Sequence, residues 1–127
     1  MAKTRIVPIV GRAAVRKRLE EGAEADRETS ALAVRYLLQQ LADEAPGHTV
    51  EVRVPPFGAV QCVEGPQHTR GTPPNVVEMD AGTWVGLATG GLGWPEALQQ
   101  SRVSASGQRA DLSELLPLRW EQDQLVD

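Results

Sequence analysis

The chain has 127 residues, is 41% apolar but only 4% aromatic, and carries a formal net charge of −4. That length holds one core, which can bury roughly two-thirds of the unfolded surface without help from metals or disulfides. The acidic balance argues against nucleic acid as a partner, because such affinity depends on a concentrated basic face.

Residues 1–11 read as an N-terminal arm punctuated by Pro8 and Gly11. Six of the 13 Lys and Arg fall in the first 18 residues, and Glu20, Glu21, Glu24, Asp26 and Glu28 follow at once. This is the pattern of a solvated helix face with intrahelical ion pairs. A short helix is expected from Arg12 to about Glu21, with Ala14, Val15 and Leu19 as its apolar side and Gly22 near its end. A stronger helix follows, capped by Thr29 or Ser30 and stopped by Pro46-Gly47. Leu32, Ala33, Tyr36, Leu37 and Leu41 recur along it at helical spacing.

The period then becomes two. In HTVEVRVPP, Val50, Val52 and Val54 point one way and Glu51 and Arg53 the other, as in a half-buried strand ended by Pro55-Pro56. The runs FGAVQCVEG and NVVEMD are apolar at both parities, which predicts strands covered on both faces. One cover would be helices and the other a cavity or a partner. Asp80 is placed to cap a helix through Trp84, Leu87 and Ala88 that ends at Gly90-Gly91. Trp94-Pro95 opens another helix, since proline in a first turn costs no hydrogen bond. RVSASG is a short strand, Asp111 caps a last turn or two in DLSELLPL, and the tail from Arg119 frays unless Trp120 docks back. The order predicts one domain over residues 12–118 and a tail over 119–127. The fold class is α+β, with an antiparallel twisted sheet of about four or five strands packed against helices.

Catalytic and metal chemistry are poorly represented. His48, His68 and Cys62 are the soft ligands, and no CxxC, HxH or HExxH spacing joins them, so no metal site and no cofactor is expected. A Cys62–His68 nucleophilic pair lacks an orienting third group. TGGLGW, residues 89–94, follows a helix rather than a strand and reads as helix termination, not as a dinucleotide fingerprint. The chain is therefore expected not to be an enzyme. The lone cysteine fits a reducing compartment, and the opening MAKTRIVPIVGR is too short and too broken an apolar stretch for a secretory signal. With no apolar run of membrane-span length, the expectation is a cytoplasmic protein without stable membrane insertion.

The segment DAGTWVGLATGGLGWPEALQQSRVSASGQRADLSELLPL resembles the closing part of sterol-carrier-protein-type lipid-binding domains. The matching positions are Asp80, Thr83, Trp84, Leu87, Gly90, Ala97, Val103, Gly107, Leu112 and Leu115. The hairpin EVRVPPFGAVQCVEG and the loop HTRGTPPN are similar to a small actinobacterial branch of that family, the bacterial sterol-carrier orthologues. The resemblance covers roughly residues 12–118. It implies a twisted sheet backed by helices around an apolar tunnel, and a non-enzymatic role in binding or transferring a fatty acyl or sterol-like ligand. Candidate lining residues are Phe57, Val60, Val77, Met79, Trp84, Leu87, Leu92, Trp94, Leu98 and Leu116; plain core packing is the competing role for each. His68 and Arg70 are candidate headgroup contacts, with a stiff turn built by Gly71 and Pro73-Pro74 as the alternative. A second reading is an accessory or oligomerisation domain, with a homodimer as the expected assembly, whose tunnel has collapsed into core. The same fold serves as the accessory domain of mycothiol-dependent maleylpyruvate isomerases.

Overall fold

The computed structural model describes residues 4–65 and 75–122. Helix α1 spans Pro8–Glu21, four residues earlier than the spacing from Arg12 suggests. Pro8 occupies its first turn, where a missing N–H is harmless, so the proline begins the helix instead of marking an arm. Gly22 at φ 59° ends it, and a 3-10 turn over Gly22–Glu24 leads on. Helix α2 spans Arg27–Glu44. Its cap is Asp26, not Thr29 or Ser30: the Asp26 carboxylate accepts from the Thr29 N–H at 2.7 Å. Ala33, Val34, Tyr36, Leu37, Leu38 and Leu41 form its buried face.

Strands β1 (Val50–Val54) and β2 (Gly58–Cys62) make an antiparallel hairpin with Val54 opposite Gly58 and Val50 opposite Cys62. Strand β3 (Asn75–Met79) lies on the other side of β1, and β4 (Val103–Ser106) closes the sheet in the order β2-β1-β3-β4. The fold is α+β as expected, but the sheet is mixed. β1 and β3 run parallel, whereas β1–β2 and β3–β4 are antiparallel. Cys62 and Asn75 both pair with Val50, so the chain leaves β2 and re-enters β3 at the same end of the sheet, on opposite sides of β1. A hairpin-length link cannot do that. Buried Asn75 ties that end together: its amide donates to the Thr49 carbonyl at 2.9 Å and its oxygen accepts from the Arg109 N–H at 2.9 Å.

Register also settles which face is covered. Val50, Val52, Val54, Val60, Cys62, Val77, Met79 and Val103 share the face toward the helices. Glu51, Arg53, Gln61, Glu78, Ser104 and Ser106 share the other, with Ala59 and Val76 as its apolar members. Among the described residues this outer face is mostly polar and ranges from half-buried to exposed. Val63, which shares the parity of Ala59, lies beyond β2. It turns out of the strand at φ 70° with its N–H on the Ala45 carbonyl at 2.7 Å.

Helix α3 (Ala81–Thr89) is capped by Asp80, which accepts from Thr83 N–H at 2.8 Å, and ends at Gly90 in the left-handed region. Helix α4 spans Trp94–Gln99 with Pro95 in its first turn. No last helix forms in DLSELLPL. The Asp111 carboxylate caps a turn through Ser113 N–H at 2.8 Å, and Leu115 N–H closes on the Leu112 carbonyl. Trp120 docks as well. Its ring is buried, Arg12 Nε donates to its carbonyl at 3.1 Å, and Arg12 Nη2 donates to the Gln122 carbonyl at 2.7 Å.

Candidate functional site

The sequence-derived lining residues separate into two environments. Val77, Met79, Trp84, Leu87 and Trp94 lie in the core between the sheet and α2–α4. Trp84 is fully buried, and its indole N–H finds the Val34 carbonyl at 3.3 Å, so its polar edge is satisfied by packing alone. Phe57, Val60, Leu92 and Leu116 are half-buried against that core, while Leu98 is 44% exposed and turned away from it. His68 and Arg70 lie outside the described residues, as does the rest of the loop up to Asn75.

Val60 opens onto a second feature, a groove of about 170 Å³ at the β2 edge of the sheet. Gly58, Ala59 and Val60 form one wall, Arg35, Leu38 and Gln39 of α2 another, and the extended segment Thr4, Arg5 and Ile6 a third. Local chemistry explains why that segment stays there. Arg35, Gln39 and Asp43 recur every four residues along α2 and so lie on one side of it. The Gln39 side-chain amide accepts from Ile6 N–H at 3.0 Å and donates to the Ile6 carbonyl at 2.9 Å, as a neighbouring strand would. Arg5 forks onto Asp43 at 2.6 and 3.3 Å. These hydrogen bonds, and then the Asp43 charge, hold the Arg5 guanidinium protonated even more firmly than usual. Arg35 Nε donates to the Phe57 carbonyl at 2.8 Å, and the Phe57 ring stacks under Arg27 at 5.4 Å.

Sequence reasoning reached Val60 of this groove, and Phe57 beside it, but missed Ile6, Arg35, Leu38, Gln39 and Gly58. The four-residue repeat of Arg35, Gln39 and Asp43 was the available clue. Cys62, by contrast, is placed for packing. It is fully buried, and burial pushes its thiol up to about 11, which denies it the thiolate that nucleophilic chemistry needs. His48 sits exposed at the start of β1 with Nδ1 2.9 Å from the Gln61 side-chain oxygen. TGGLGW joins α3 to α4 with Gly90 at φ 93°, a helix-ending link. Among the described residues no helix is long and apolar enough to cross a membrane.

No curated protein matches the chain. A family model described as bacterial SCP ortholog matches residues 26–118. That span runs from the cap of α2 to Leu118, whose N–H closes on the Ala88 carbonyl of α3, and so takes in the whole sheet and three of the helices. With the match covering most of the fold, the chain belongs to the bacterial SCP ortholog family, a sterol-carrier-protein-type domain.

Proposed function

We propose that this protein is a non-enzymatic binder or carrier of a lipid-like apolar ligand, held where α2 meets the edge of the sheet. The observation that carries the reading is the apolar groove of about 170 Å³ walled by Ile6, Leu38 and Val60, in a sterol-carrier-type domain. Apolar burial would supply most of the affinity, at about 0.8 kcal/mol per methylene. The inert, buried Cys62 supports binding without covalent chemistry and a reducing, cytoplasmic setting. The test is an ¹⁵N–¹H NMR titration with a panel of acyl chains and sterols. Shifts clustered on Leu38, Gln39, Gly58 and Val60 support the reading; an unchanged spectrum across the panel sinks it.

A second reading, an accessory or self-associating domain, draws on a different surface. Val7, Ile9 and Val10 stand exposed at the start of α1, Ile9 at 79%. Apolar side chains grouped in this way favour a partner. Sedimentation of wild type beside Ile9→Glu tests it: a dimer that the substitution dissociates favours this reading, and a monomer throughout removes it.

A further inference from the structure

Resting on the reading of the edge groove as the ligand site, we infer that the groove selects short, straight-chain carboxylic acids of about six carbons, with the carboxylate at Arg35. Three observations converge on that class. The first is size. At about 170 Å³ the groove is well short of the range that encloses drug-sized ligands, and it holds roughly six water-sized groups, each comparable to a methylene. A sterol nucleus is larger than that space.

The second is charge. Among the described residues two cations border the groove, and they differ. Arg5 is forked onto Asp43, so its charge already has a partner. Arg35 has no carboxylate partner among the described residues; its one hydrogen bond there is from Nε to the Phe57 carbonyl. That bond fixes the planar head beside the groove and leaves the two Nη groups, the pair suited to a carboxylate, without a protein acceptor among those residues. The floor they overlook is apolar, formed by Ile6, Leu38 and Val60. An apolar slot with one uncompensated guanidinium at its rim is complementary to a chain with an anionic end.

The third is that β2 begins with glycine at the groove. A Cβ built on Gly58 would meet Leu38 Cδ1 at 3.4 Å and Arg35 Cγ at 3.7 Å, ordinary contact distances, so a larger side chain would occupy the slot without clash at its first atom. The space beside α2 thus depends on Gly58 lacking a side chain.

The experiment is an NMR titration of the full chain with straight-chain acids from butanoate to decanoate, and with the matching neutral amides. Affinity should rise about fourfold per methylene up to about six carbons and then level off. Each acid should bind up to about fivefold tighter than its amide, the scale of an exposed ion pair. Arg35→Gln should abolish the difference between each acid and its amide, and Arg35→Lys should restore part of that difference. Gly58→Val, which also suits a strand better than glycine, should abolish binding of both while the rest of the spectrum stays native. Equal binding of acid and amide, or affinity that keeps climbing to decanoate, overturns the ligand class but leaves the groove as a binding site. Shifts centred on the Trp84 indole instead of Gly58 and Val60, or none with any chain, overturn the groove reading itself.

Discussion

Gly11 lies on the buried side of α1 against Tyr36 of α2, and an alanine there sets two effects in opposition. In a helix, alanine is favoured over glycine by about 1 kcal/mol. A Cβ at position 11, however, would overlap the Tyr36 ring, meeting Cγ, Cδ1 and, at 2.7 Å, Cε1. The ring is itself buried, so it cannot swing away without disturbing the close-packed core around it. Overpacking of this kind costs about 1–3 kcal/mol, and three overlapping atoms put it at the upper end. Gly11→Ala should therefore destabilise by about 2 kcal/mol net, lowering Tm by roughly 8 °C in a chain of this size. Urea unfolding followed by tryptophan fluorescence measures the change directly. Tyr36→Leu shortens the obstacle, so in that background the effect of Gly11→Ala should shrink or reverse. A Gly11→Ala protein more stable than wild type by about 1 kcal/mol would show that propensity alone governs the site, and would refute the close crossing of α1 on α2.

Asp80→Ala, which removes the acceptor for Thr83 N–H, should cost about 1 kcal/mol, whereas Asp80→Asn should keep most of the cap. The Thr83 N–H holds the Asp80 carboxyl below the ordinary carboxylate range, so its contribution is complete above that range and is lost as pH falls through the folded value. Urea unfolding should accordingly show any advantage of wild type over Asp80→Asn shrinking between pH 7 and pH 3; a constant difference would contradict the assignment. Cys62 works in the opposite direction. With its thiol raised to about 11, the stability it lends is complete below the ordinary thiol range and is lost as pH rises through that value. At pH 8 an aromatic disulfide reagent should modify the native thiol about 100-fold more slowly than the urea-unfolded one, and equal rates would show the thiol to be accessible. Trp120→Ala should destabilise by about 3 kcal/mol, because the ring is buried and Arg16 lies over it; a change within about 0.5 kcal/mol in the same unfolding assay would mean a frayed tail.

Local chemistry made much of this fold legible. The Asp80 cap, the Gly90 stop, the proline-led α4 and the alternating β1 each depend on a few adjacent residues, and each stands where its pattern placed it. The departures have non-local causes. Pro8 is neutral between arm and first turn until Gly11 and Tyr36 bring α1 onto α2. The end of β2 before Val63 is invisible in sequence, because the left-handed backbone there, held by the hydrogen bond to Ala45, has no mark in a β-branched side chain. The parallel pairing of β1 with β3 rests on buried Asn75, whose partners are distant in sequence. The candidate site follows the same division. Val60 was accessible through strand parity, but Arg35 and Gln39 on a helix rim look like ordinary solvated residues until the segment around Ile6 is laid beside them.

The way Gln39 grips Ile6 gives the groove an adjustable wall. Both hydrogen bonds go to main-chain atoms, so the anchorage is indifferent to which side chain position 6 carries. Variation at that one residue can narrow, deepen or polarise the groove while the segment stays moored to α2. Evolution, or a protein engineer, could retune the dimensions of the groove there without redesigning either the helix or the sheet.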